Sequence, residues 1–127
     1  MSTLKVGTIQ NTSDAHSSTP EQIANGRAKV WIHFSGNDNS IRDSFNISSI
    51  EDLGVGAHKV HFENALSNKK YCCVTTSGEY TNLGGNNPER IPRLSNFQVG
   101  SIIFCNRTAT GGSGDDNYHG LAIFGDT

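Results

Sequence analysis

Ala28-Lys29-Val30-Trp31-Ile32-His33-Phe34 alternates without a break. In an extended chain successive side chains point to opposite sides. Ala28, Val30, Ile32 and Phe34 therefore share one face, and Lys29, Trp31 and His33 share the other. The first face has the composition of a core, so this stretch predicts a half-buried β-strand and with it an all-β domain.

The pattern repeats on both sides of that strand. Gly36-Asn37-Asp38-Asn39 reads as a turn, and Ile41 to Ile47 alternates again and runs on through Ser48-Ser49-Ile50 toward Leu53, with a bulge expected to divide it. Gly54-Val55-Gly56 then signals a hairpin into Ala57-His58-Lys59-Val60-His61-Phe62, so residues 41 to 62 read as a β-meander. Upstream, Leu4 to Ile9 reads as a strand and Gln10 to Thr19 as a loop. Thr19-Pro20-Glu21-Gln22-Ile23-Ala24-Asn25-Gly26 has the cap, the early proline and the final glycine of one short helical segment.

Downstream, Tyr71 to Thr76 predicts a strand, and Gly84-Gly85-Asn86-Asn87-Pro88 predicts a loop. Phe97 to Arg107 is the most apolar run: Val99, Ile103 and Cys105 fall on one face, Ile102 and Phe104 on the other. Such a strand is expected to lie centrally with both faces covered. Thr110 to Asn117 has the composition of a mobile loop, and Leu121-Ala122-Ile123-Phe124 reads as the closing strand.

Seven or eight short strands at this spacing predict a single-domain antiparallel β-sandwich over residues 1 to 127, jelly-roll-like or Ig-like. A small β-barrel is the alternative. The expected core is Val30, Ile32, Phe34, Val60, Phe62, Val99 and Ile103. A chain of 127 residues has no room for two independent cores.

Composition narrows the function classes. Ten Lys and Arg against twelve Asp and Glu leave a formal charge of −2, which supplies no basic field for a phosphate backbone, so nucleic acid is not an expected partner. The start of the chain lacks the charged and apolar segments of a signal peptide, and no run of eighteen apolar residues occurs. The expectation is a protein made in a cytosol, without membrane insertion, whose Cys72, Cys73 and Cys105 stay reduced. The sequons at Asn11, Asn46 and Asn106 carry no weight in that compartment.

The residues that suggest chemistry each meet a physical objection. His58 and His61 are three apart on a strand and point to opposite faces, so they cannot clamp one ion, although His33 and His61 would share a face if their strands were neighbours. Asp115-Asp116-Asn117 lacks the spacing of a calcium loop. Ser113, near two aspartates and His119, lies in a glycine-rich loop with no helix to hold it, unlike a nucleophile elbow. The reading is therefore no catalytic residue, no metal and no cofactor.

Recognition fits better. Trp31 and His33 lie on the face opposite the core stripe, and Tyr80 and Tyr118 sit in polar loops suited to adaptable contacts. Trp31, His33, Tyr80 and Tyr118 are the candidate interface or ligand residues. In a carbohydrate-binding sandwich, the alternative function, Trp31, Tyr80 and Tyr118 would stack on sugars.

Ala28 to Gly36, Ile41 to Ile50, Gly54-Val55-Gly56 and Val60-His61-Phe62 together resemble a module of tail-fibre and virion structural proteins of phages, notably short-tailed, podovirus-like phages of marine cyanobacteria. Leu4 to Asn11 and Leu121 to Phe124 are similar to the ends of that module, whereas residues 80 to 118 match least. The resemblance implies a place on a virion as a fibre, knob or tail accessory. It also implies a homo-oligomer, commonly a trimer, attached through other virion proteins; the working expectation adds loops that reach the host surface, with a surface glycan as a candidate partner. It carries no active site.

Overall fold

The computed structural model describes residues 1–10, 12–13, 17–78, 90–108 and 111–125. The chain folds as an all-β antiparallel sandwich, in line with the alternation of its sequence. A two-residue ladder joins β1 (Ile9–Gln10) to β2 (Ser17–Ser18). Next comes α1 (Pro20–Gly26), whose N-terminus is closed by a capping box: the Thr19 hydroxyl accepts from the Gln22 N–H, and the Gln22 side chain accepts from the Thr19 N–H.

Among the described residues eight strands build the sandwich. They are β3 (Val30–Phe34), β4 (Ile41–Phe45), β5 (Ile47–Gly54), β6 (Ala57–Phe62), β7 (Tyr71–Gly78), β8 (Arg90–Ser95), β9 (Ser101–Thr108) and β10 (Tyr118–Gly125). The first sheet has the order β4-β3-β10-β7 and the second β5-β6-β9-β8, so among the described residues the strands form two sheets and not a closed barrel. The closing strand β10 and the apolar strand β9 both take central places.

Val30, Ile32, Phe34, Leu121 and Ile123 from the first sheet meet Val60, Phe62, Ile102 and Phe104 from the second, with Leu66 beside them. Phe34 and Phe104 pack edge to face across the layer, their ring centroids 5.6 Å apart. Each such side chain, taken fully out of water, contributes about 1.5–3 kcal/mol.

Four expectations are corrected. Residues 41 to 62 are not a meander, because β4 pairs with β3 while β5 pairs with β6 in the other sheet. Asn46 makes the crossing: it sits at φ 59°, where asparagine is tolerated. Its amide donates to the Lys29 and Asn64 carbonyls, and its Oδ1 accepts from the Asn64 N–H at 2.7 Å.

The core assignment of Val99 and Ile103 is also overturned. Val99 precedes β9 and is 36% exposed, although its carbonyl accepts from Leu66 N–H. Ile103 is half-buried on the outer side, between Lys59 and Ser95, and Ile102 and Phe104 take the core. Two adjacent isoleucines declare no phase; the pairing with β6 sets it.

Leu4 to Ile9 is not a strand: only Ile9–Gln10 pairs, and Leu4 and Val6 are exposed. The segment from Gly111 to Asn117, expected to be a mobile loop, is instead anchored by buried Gly114 and Asp116. Finally, the hairpin at Gly54-Val55-Gly56 forms as predicted, with positive φ at both glycines. A Cβ on Gly56 would lie 2.7 Å from the Asn106 carbonyl oxygen and the Gly114 nitrogen, so only glycine fits there.

Candidate interaction surface

The outer face of the first sheet is built by strand register. Trp31 on β3 lies opposite Phe45 on β4 and Ala122 on β10, and Ala122 lies opposite Val74 on β7. Phe45, Trp31, Ala122 and Val74 thus form one row across all four strands. Phe45 and Val74 are 52% and 55% exposed, and Trp31 and Ala122 are half-buried between them. An apolar row of this extent facing water is the kind of surface that marks contact with another molecule.

The next row is polar: Asp43, His33, Gly120 and Thr76. Gly120 keeps it shallow, since a Cβ there would come 2.5 Å from Thr76 Oγ1. At its β4 end the Arg42 guanidinium lies 4.1 Å from the centroid of the Tyr118 ring, a cation–π arrangement. The His33 ring stacks on Tyr118 at 5.6 Å, and Arg42 Nη1 is 3.4 Å from His33 Nε2. The fold thus gathers three of the four residues singled out from the sequence, Trp31, His33 and Tyr118, on one face. Tyr80 lies outside the described residues.

The opposite outer face, on the second sheet, differs in kind. Glu51 accepts from His61 Nε2 at 3.0 Å and sits 4.0 Å from Lys59 Nζ. Ile103 and Cys105 there lie opposite Lys59 and Arg93 in the ladder. His33 and His61 belong to the outer faces of different sheets, so the proposed sharing of one face does not occur.

The remaining candidates are interior or separated. His58 and His119 are 0% exposed, with ring centroids 5.9 Å apart, packed against Phe34; Phe104 adjoins His119. Ser113 is exposed and bridges Arg107, while His119 is enclosed in that aromatic cluster, an arrangement unlike an activated serine. Among the described residues no group of three or more His, Cys, Asp or Glu side chains could hold a metal. Nor is any helix there long and apolar enough to cross a membrane. Cys72 is exposed on the outer side of β7, and Cys73 turns inward, where burial pushes its thiol up to about 11.

A cleft of about 570 Å³ opens where the chain crosses between sheets, lined by Arg27, Phe45, Glu63, Asn64 and Leu66 among others. Phe45 therefore belongs both to the apolar row and to this cleft. Sequence reasoning missed Phe45 and Val74. The alternation in their strands was visible, but only the pairing of each strand with its neighbour says which phase faces out.

Compared with known protein families, curated proteins and solved structures, the chain matches none.

Proposed function

We propose that this chain is a structural module of a bacteriophage particle, without a catalytic role. Its copies associate through the outer face of the first sheet, and its loops are directed to other virion proteins and to the host surface. The observation that carries the reading is the in-register row Phe45, Trp31, Ala122 and Val74. The placement on a virion and the expected count of three copies rest on the resemblance of residues 28–36, 41–50, 54–56 and 60–62.

A second copy suits this face for a charge reason as well. Arg42 and Asp43 are exposed side by side within β4, next to the apolar row. A partner bearing the same pair brings opposite charges together while the rings leave water, and such complementarity fixes orientation. Light scattering on the purified chain tests this: an assembly above 13.7 kDa whose mass Phe45→Lys reduces supports it. A wild-type chain that stays at 13.7 kDa at every concentration refutes it.

The cleft favours one further reading, contact with a glycan. Its rim joins the Phe45 ring to the polar side chains of Arg27, Glu63 and Asn64, the combination of flat apolar surface and hydrogen-bonding groups that a sugar uses. The Tyr118 ring is already engaged by His33 and Arg42, which removes it as an open stacking platform. Glycan retention lost on Phe45→Ala with an unchanged melting temperature supports this reading; no retention by the wild type dismisses it.

A further inference from the structure

Sheet edges expose unpaired backbone N–H and C=O groups, and soluble proteins guard them with charge, proline, bulges or brevity. Among the described residues the sandwich has four edges, and three of them are guarded. Strand β4 has five residues, two of them Arg42 and Asp43, and a register shift against β3. Strand β5 carries Glu51 and Asp52 and two register shifts. Strand β8 carries Pro92 and Arg93.

The fourth edge, β7, has none of these devices. Tyr71-Cys72-Cys73-Val74-Thr75-Thr76-Ser77-Gly78 holds no charged residue and no proline, and it pairs with β10 over all eight positions without a shift. It ends the order β4-β3-β10-β7, so its other side has no strand partner among the described residues. Cys72, Val74 and Thr76 are exposed, and Thr75 and Ser77, which turn to the core side, are half-buried.

We infer that β7 is a second self-contact, pairing antiparallel with β7 of another copy about a two-fold axis at Val74. The occupant follows from the strand itself. An antiparallel pair centred on Val74 sets Val74 against the partner's Val74 and Cys72 against the partner's Thr76, so outward residues meet outward residues, as a continuous pleat requires. The two first sheets become one sheet of eight strands, and the apolar row runs on from Val74 into its copy. A β-branched pair at the centre, without charges to separate, favours this register. Val74 belongs to both surfaces, but the edge contact is made by the β7 backbone, so protection of the β7 amides in a chain carrying Phe45→Lys sets it apart from the face contact proposed above.

The test uses the full chain carrying Phe45→Lys, which removes the face contact at an exposed position. This protein is expected to reach a mass of two copies as concentration rises, with hydrogen exchange slowing at those amides of residues 72 to 77 that point away from β10. Adding Val74→Lys sets two ammonium groups against each other and returns the mass to 13.7 kDa. Adding Val74→Asp instead sets two carboxylates against each other and does the same. An equal mixture of the Val74→Lys and Val74→Asp proteins dimerises again, with the β7 amides protected once more, because a two-fold axis at this position brings the opposite charges together. A Phe45→Lys protein that stays monomeric at all concentrations, or a mixture that fails to recover, overturns the inference.

Discussion

Asn106 donates its side-chain amide to the Asp116 carboxylate at 2.6 Å, and both residues are within 2% of complete burial. The Ser77 hydroxyl donates to the same oxygen at 2.8 Å, and Asn106 also donates to the Gly114 carbonyl. This network ties β7, β9 and the loop before β10 together, which explains why a glycine-rich stretch is held in place. A buried carboxylate is tolerated only when its hydrogen bonds are met. Asp116→Ala leaves the Asn106 amide only the Gly114 carbonyl and the Ser77 hydroxyl only Asn106 Oδ1, 3.1 Å away, and is expected to lower stability by about 2–4 kcal/mol, read from urea unfolding. Asp116→Asn retains an acceptor and is expected to cost less.

The crossing at Asn46 separates two contributions that one residue supplies. Asn46→Gly keeps the positive φ and loses the side-chain bonds to Lys29 and Asn64. Asn46→Ala loses both. The expected order of stability is wild type, then Gly, then Ala, with the alanine variant down by about 2–3 kcal/mol in the same unfolding assay.

The class of fold was legible because strands buried on one face alternate. Ala28 to Phe34 gave the phase of β3, and the hairpin glycines and the helix cap were equally local. What stayed hidden is non-local. Nothing around Asn46 announces that the chain changes sheets, since its side-chain partners are 17 and 18 residues away. Ile102 and Ile103 look alike until β6 pairs with β9. The site was half visible for the same reason: Trp31 stood out as a lone tryptophan on the wrong side of a core stripe, but Phe45 and Val74 join it only through register.

Close packing at Gly120 yields a coupled pair. Gly120→Ala forces its methyl against Thr76 Oγ1, and the expected loss is about 1–3 kcal/mol. Thr76→Ala alone, on an exposed position of an edge strand, costs about 1 kcal/mol or less. The double variant recovers most of the glycine loss, giving a coupling energy of about 1 kcal/mol or more in a double-mutant cycle. Additive losses would show that the contact does not limit this site.

Two groups set opposite pH responses. The Ser40 hydroxyl, with help from Ser35 and the Ser40 N–H, holds the Asp38 carboxyl down at about 2 from its ordinary 3.8. A depressed carboxyl contributes stability above its unfolded value, and that contribution disappears as pH falls from about 4 to about 2. Burial raises the Cys73 thiol from 9.0 to about 11, so its contribution is present below pH 9 and lost as pH rises toward 11. Asp38→Asn is expected to flatten the acid slope of the urea midpoint, and Cys73→Ala the alkaline slope. Exposed Cys72 should react with a thiol reagent at neutral pH before Cys73 does, as peptide mass mapping would show.

Self-association through the first sheet is the central claim, and the mass of the purified chain by light scattering across a concentration series tests it most directly. The expected result is a wild-type species of several copies and a smaller one for Phe45→Lys, with the melting temperature nearly unchanged because that ring is 52% exposed. A wild-type chain that remains at 13.7 kDa throughout, or a Phe45→Lys chain of undiminished mass, would contradict it.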